Sequence, residues 1–397
     1  MAAPIKVAHV TTIDMSLRYL LLNQLRAIAT EGYEVVGISS SGPDVPTVQA
    51  AGIRHIEVPM TRRLSPVADL LSLLRLYQVM RRERFTIVHT HTPKPNLLGQ
   101  LAARLARVPV VMSTVHGFYF HDDMDPTWRR FYVFMEKISA RCSDLILSQN
   151  SEDVETAVRE GIAPRMRIRL LGNGIDITRF DRTRISAETR SALRLELGLA
   201  EGAPVVGFVG RLVAEKGILE LFEAAREVLA AIPAARFLVV GPTDHHKTDA
   251  LSPDHARKYG VEKAFVFTGL RQDMPEMYSL MNVFVLPSHR EGFPRSPMEA
   301  AAMGVPAIVT DVRGCRETVR HGVNGLLFPR QDARALAAAI LEVLGDPARA
   351  AALGEGGLQM ARERFDERRV FQIVLDAYEH LLAEHPKYAP PRGSRPS

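Results

Sequence analysis

Only two cysteines occur in the 397 residues, Cys142 and Cys315. They stand far apart and form neither a disulfide framework nor a paired metal-ligand spacing. So few thiols fit a reducing, cytoplasmic setting. No apolar run reaches the roughly 18 residues that a membrane-spanning helix needs. The N-terminal stretch MAAPIKVAHVTTIDMS lacks a charged segment followed by a long apolar one, so it does not read as a secretory signal. A Gly-x-Gly-x-x-Gly fingerprint, a Gly-x-Ser-x-Gly elbow and a P-loop are also missing, which argues against a dinucleotide enzyme, an elbow-type serine hydrolase and a P-loop NTPase.

Charge of one sign is not dominant either, since the formal net charge is +5. The excess is uneven, however. Residues 61–110 carry nine Lys and Arg (Arg62, Arg63, Arg75, Arg81, Arg82, Arg84, Lys94, Arg104 and Arg107) against two acids, Asp69 and Glu83. That window favours an anionic partner for the first half, such as a phosphorylated lipid, a membrane surface or a nucleic acid. The plainer alternative is a solvated helix face.

What is present is an alternation of short apolar runs with amphipathic stretches. KVAHV, EVVGIS, HIEVP, TIVHTH, VVMSTVHG and LILSQN read as strands, with helices between them, one of them over about 127–142. The rhythm restarts near residue 204 with PVVGFVG, RFLVVG, AFVFTG, VFVLPS, PAIVT and GLLFP. Such βαβα order means parallel sheets covered on both faces. The length suits two domains. We expect them at 1–185 and 186–365, followed by a helix at 366–385 that crosses back to the first domain. The Pro-rich tail 386–397 is expected to be disordered. If the two sheets face one another, ligands bind beyond the carboxyl ends of their strands.

Four motifs lie at such strand ends. Gly210-Arg211-Leu212 with Glu215-Lys216-Gly217 follows an apolar strand and opens a helix. Arg and Lys there suit a diphosphate, or are two surface cations around a helix start. Glu291-Gly292-Phe293-Pro294-Arg295-Ser296-Pro297-Met298-Glu299 follows VFVLPS. Ser296, Pro297 and Glu299 have the N-cap, N1 and N3 spacing of a capping box, so Glu299 has a structural explanation. Glu291 has none. His116 in Thr114-Val115-His116-Gly117 ends a strand of the first half and is either structural or placed to meet a ligand hydroxyl. Asn173-Gly174-Ile175-Asp176 reads as a turn. His89 and His91 alternate on one strand and face the same way, but no third ligand stands near them at metal-binding spacing, so no metal site is expected.

The ordered set formed by Gly210-Arg211-Leu212-x-x-Glu215-Lys216-Gly217, Glu291-Gly292-Phe293-x(5)-Glu299-Ala300, Gly304-x-Pro306, Gly314-x-x-Glu317 and Gly322-x-Asn324-Gly325 resembles glycosyltransferase family 4, and bacterial cell-surface polysaccharide enzymes in particular. The resemblance implies the GT-B fold: an α/β architecture of two Rossmann-like domains facing a cleft. It implies a retaining, metal-independent transferase with no cofactor, whose substrate is a nucleotide sugar, a UDP-sugar first. The acceptor would be a lipid-linked or growing saccharide. Contact with an anionic membrane at the inner face of the cell membrane is implied as well, and nucleic acid is not. By the same resemblance Arg211 and Lys216 hold the diphosphate, Glu291 meets the transferred sugar and Glu299 the ribose. Gly210, Gly292, Phe293, Pro294 and Arg271 also line the donor. His116 lies by the reacting sugar, and Ser16, Lys94 and His91 are expected near the acceptor. The loop Thr11–Ser16 departs from relatives that carry a Gly-Gly pair there. Two other readings share this fold, a sugar-nucleotide 2-epimerase and a non-catalytic nucleotide-sugar binder.

Overall fold

The computed structural model describes residues 4–61, 63–121, 124–244 and 249–385. Arg62 and the tail from residue 386 lie outside the described residues. The chain divides into two units. One is Met1–Gly172 together with the segment from Arg369 onward, and the other is Asn173–Arg368.

In the first unit seven strands form one parallel sheet: β1 (Lys6–Ile13), β2 (Glu34–Ser40), β3 (Arg54–Glu57), β4 (Ile87–His91), β5 (Val110–Val115), β6 (Leu145–Ser148) and β7 (Ile168–Leu170), in the order β3-β2-β1-β4-β5-β6-β7. The second unit holds six: β8 (Val205–Val209), β9 (Arg236–Val240), β10 (Phe265–Gly269), β11 (Val283–Leu286), β12 (Ala307–Thr310) and β13 (Gly325–Phe328), in the order β10-β9-β8-β11-β12-β13. Central strands such as β4, β5, β11 and β12 are buried along their whole length. Helices cover both faces of a parallel sheet, so its strands read as unbroken apolar runs.

The unit boundary falls at Gly172, not at 185, because the next residues are bonded into the second unit. Ile175 N–H donates to the Phe365 carbonyl at 2.8 Å, and Glu367 N–H donates to the Ile175 carbonyl at 3.1 Å. The charged stretch DRTRISAETR around that expected boundary belongs to the second unit and runs into the helix Ala187–Glu196. The helix Glu367–Ala383 returns to the first unit, where Val370, Val374, Tyr378, Leu381 and Leu382 join the core that includes Val7, Leu25 and Ile87.

A further helix, Pro347–Arg364, lies where the sequence reading had none. It holds Gly354, Gly356 and Gly357, which lower helix propensity. Its glycines serve close packing: a Cβ on Gly354 would lie 2.4 Å from the Gly304 carbonyl oxygen, and one on Gly356 2.1 Å from that of Val323.

Candidate active site

The order of the second sheet reverses between β8 and β11. From β8 the chain moves outward to β9 and β10, and from β11 it moves to β12 and β13. Loops leaving two such neighbours diverge, and the crevice between them is where open α/β sheets bind ligands. Gly210–Gly217 follows β8, and Pro287–Pro294 follows β11.

Hydrogen bonds tie these two loops together. The Glu215 carbonyl accepts from His289 N–H at 2.9 Å and from the Ser288 hydroxyl at 3.3 Å. The Glu215 carboxylate pairs with Arg290 at 3.1 Å. Lys216 Nζ donates to Glu291 Oε1 at 2.5 Å, with 20% of the lysine side chain and 9% of the glutamate side chain exposed. Gly217 then opens the helix Ile218–Ala231 in the left-handed conformation, φ +73°. Arg211 lies on the same loop, 39% exposed, and pairs with Asp244 at 2.7 Å. Gly210 N–H donates to the Val240 carbonyl, which closes the loop onto β9.

Around Glu291 the structure places Gly292 half-buried and Phe293 buried, its ring edge-on to Phe365. The Phe293 carbonyl accepts from Asn173 Nδ2 at 2.9 Å. Asn173 and Gly174 do not form the expected turn, which begins only at Asp176, whose carbonyl accepts from Arg179 N–H at 3.1 Å; Asn173 instead braces the Glu291 loop. Pro294 is extended and immediately precedes the helix Arg295–Ala302.

That helix start overturns the capping-box reading. With the first helical residue at Arg295, Ser296 lies inside the first turn and Glu299 beyond the cap. The Glu299 carboxylate instead accepts from the buried Tyr278 hydroxyl at 2.9 Å. Burial raises its pKa, opposed by nearby Arg295, the Tyr278 hydroxyl and Arg179. Its structural explanation as a cap is gone, and a half-buried carboxylate behind the Glu291 loop remains.

The Arg271 guanidinium forms a two-pronged bond to Asp273 and a third contact to Glu196 at 2.9 Å, which braces the segment after β10.

In the first unit the reversal lies between β1 and β4. His116 ends β5, half-buried. Burial lowers its pKa to about 4 against a hydrogen bond to Gln149 that favours the protonated form, so the imidazole is neutral at physiological pH. Ser16 lies half-buried in the first helical turn after β1. His91 and Lys94 do not suit acceptor binding. His91 is 1% exposed, and both its nitrogens are bonded, to His9 at 3.0 Å and to His116 at 3.3 Å. Lys94 bonds Asp69 Oδ1, the Thr61 hydroxyl and the Arg63 carbonyl, which occupies all three ammonium hydrogens.

Sequence spacing also missed a third histidine. His9 on β1 lies in register with His89 on β4, and ligand atoms of His9, His89 and His91 fall within 4.8 Å of one another. The signal was available: a histidine inside the apolar run KVAHV. Glu136 was missed as well. Burial and the neighbouring Asp153 raise its pKa to about 7, and Asp153 itself accepts from Phe118 N–H in the loop after His116.

Comparison with known proteins decides the family. Residues 18–174 match the glycosyl transferase 4-like domain, and residues 189–360 match glycosyl transferases group 1. The chain is 30% identical over 347 residues to the UDP-Gal:alpha-D-GlcNAc-diphosphoundecaprenol alpha-1,3-galactosyltransferase of Escherichia coli, covering 86% of this chain and 88% of that one. It belongs to this glycosyltransferase family.

The capsular polysaccharide biosynthesis glycosyltransferase CapM of Staphylococcus aureus is 27% identical over 96% of this glycosyltransferase and 98% of its own length. The fold is that of Anabaena HepE, crystallised with UDP and glucose, at a TM-score of 0.81 with 21% identity over 95% of this chain and 100% of that one. The two doubly wound sheets are therefore the GT-B fold. Neither the family matches nor these relatives support the epimerase reading.

Proposed function

We propose that this enzyme moves a sugar, with retention of anomeric configuration and without a metal, from a UDP-sugar to a lipid-linked saccharide. One observation carries the reading: the Lys216–Glu291 pair joins the two loops at the switch point of the second sheet. Cleaving a sugar–phosphate bond builds negative charge on the departing diphosphate and positive charge on the ring. A lysine held in a fixed position, with Arg211 on the same loop, stabilises the first without reorganising at the moment of reaction. Glu291, held by that lysine, faces hydroxyls of the transferred sugar, and Glu299 the ribose. His116, in the first unit, is a neutral hydrogen-bonding group for a substrate hydroxyl. The Escherichia coli relative, named for UDP-Gal and a diphosphoundecaprenol acceptor, supports both the UDP donor and the lipid-linked acceptor.

The donor is tested by heating the protein with UDP-, GDP- and ADP-sugars in turn. Ligand at about 100 times its Kd adds about 2.7 kcal/mol to the stability of the unit that binds it. A UDP-sugar is expected to raise its melting temperature by several degrees. If no nucleotide sugar shifts either unit, the donor reading fails.

The acceptor side meets an anionic membrane through the helix Pro66–Glu83. Val67, Leu70, Leu71 and Leu74 share one helical stripe and are 48–74% exposed. Arg75, Arg81 and Arg84 are exposed too, and 72% of the Arg82 side chain faces solvent. Lys94 and Arg104 contribute less free charge, because they pair with Asp69 and Asp144. Among the described residues no helix is long and apolar enough to cross a membrane, so the contact is one of surface. At about 1 kcal/mol per cation near an anionic surface, changing Arg81, Arg82 and Arg84 together to Ala weakens binding to phosphatidylserine vesicles at low salt by roughly 100-fold. Unchanged co-sedimentation removes this helix from membrane contact.

A further inference from the structure

Four histidines of the first unit, His9, His89, His91 and His116, are linked in a single file. His89 Nε2 meets the Thr114 hydroxyl at 2.8 Å, and His89 Nδ1 meets the Tyr378 hydroxyl at 2.9 Å. That hydroxyl also meets His9 Nε2 at 3.1 Å. His9 Nδ1 meets His91 Nε2 at 3.0 Å, and His91 Nδ1 meets His116 Nε2 at 3.3 Å. Thr114, His89, Tyr378, His9 and His91 are each at most 1% exposed, whereas His116 at the end of the file is half-buried.

Burial lowers the pKa of His9 to about 3 and those of His89 and His91 well below the usual histidine range, so all three are neutral. A neutral imidazole has one N–H and one lone pair. Once one link is oriented, each following ring points the same way, and the buried Tyr378 hydroxyl does too when its own hydrogen is bonded within the file. Only two arrangements satisfy the whole file. In one, every hydrogen points toward His116: Thr114 donates to His89, His89 to Tyr378, Tyr378 to His9, His9 to His91, and His91 Nδ1–H to His116 Nε2. His116 then carries its hydrogen on Nδ1. In the other, every hydrogen points away, and His116 carries its hydrogen on Nε2. Both arrangements leave every ring neutral.

A metal would use the same nitrogens differently. A tetrahedral ion needs lone pairs converging at about 2.0–2.1 Å. Here His9 and His91 are bonded to one another, and the remaining His9 nitrogen and His89 Nδ1 share the Tyr378 hydroxyl.

We propose that Thr114, His89, Tyr378, His9 and His91 form one hydrogen-bond relay that couples the direction of its own hydrogens to the ring nitrogen of His116 that carries its hydrogen. They are positioning residues. The value of the relay to the reaction rests on the reading of His116 as a partner of a substrate hydroxyl, while the relay itself does not. Buried neutral donors and acceptors hold the imidazole in one tautomer, much as an outer partner fixes the orientation and tautomer of a functional histidine elsewhere.

The test removes one oxygen at a time from the full chain. Tyr378→Phe breaks the file in the middle and Thr114→Val at its far end. Nitrogen-15 NMR of histidine-labelled protein, without substrate, reports the His116 tautomer. The wild type should give one protonated-type and one bare-type resonance for that ring, and both variants should draw the two together as tautomers mix. kcat should fall roughly tenfold with the donor KM unchanged. His116 resonances that stay unmoved in a folded Thr114→Val or Tyr378→Phe protein overturn the relay. So does stoichiometric zinc in the purified protein, measured by mass spectrometry. A His116→Ala variant that keeps full kcat removes His116 from the reaction and leaves an NMR-detected relay standing, so the two failures are distinguishable.

Discussion

Lys216→Ala is expected to lower kcat by roughly 10²–10³-fold, the loss that follows removal of one preorganised donor from developing negative charge. The geometry gives the lysine a double role. Its ammonium holds Glu291, whose side chain is 9% exposed and is otherwise left in a poorly solvated loop without a counter-charge. In the proposed reaction it also stands at the loop end that meets the diphosphate. Glu291→Gln separates the two roles. It keeps the shape and releases the lysine, so donor affinity should hold while transfer falls. Measuring donor Kd by calorimetry and kcat by product formation on both variants resolves them. A Lys216→Ala enzyme within tenfold of wild-type kcat would remove the lysine from the chemistry.

The second large effect is expected at Gly217. Its φ of +73° is the left-handed region, where a Cβ costs about 1 kcal/mol. A Cβ built there would also lie 1.9 Å from the Pro287 carbonyl oxygen, so alanine cannot be accommodated unless the loops after β8 and β11 separate. Gly217→Ala is therefore expected to destabilise the second unit by about 3–5 kcal/mol, the range reached when backbone strain and overpacking combine. Its melting temperature should drop by about 10 °C. Transfer activity should fall even below that temperature, because the same separation pulls Lys216 from Glu291. Calorimetry showing a melting temperature within about 2 °C of wild type would mean that the loops adapt.

The sequence reading found the strands because parallel strands covered on both faces advertise themselves as apolar runs, and β1, β8 and β11 begin where those runs do. The Lys216–Glu291 neighbourhood was legible too, since both residues follow central strands. Other features needed distance information. The three-residue β7, Ile168-Arg169-Leu170, is too short to carry a periodic signal. The helix Pro347–Arg364 was hidden by glycines that look like breakers and are in fact contact points with the backbones of Gly304 and Val323. Glu299 was assigned to a cap from spacing, but the helix starts at Arg295 and a tyrosine 21 positions earlier holds the carboxylate. His9 and His91 lie 82 residues apart, and no local pattern announces that β1 and β4 are neighbours.

The helix Glu367–Ala383 has a consequence for the order in which the molecule is made. Its residues Val370, Val374 and Tyr378 belong to the core of the first unit, yet they are translated after the whole of the second. A ribosome that has finished residue 172 has therefore released a sheet with one wall missing and with no hydroxyl between His89 and His9. Domains generally fold as units from the N-terminus during synthesis. Here the earlier unit cannot complete its core until the residues of the helix Glu367–Ala383 have been made.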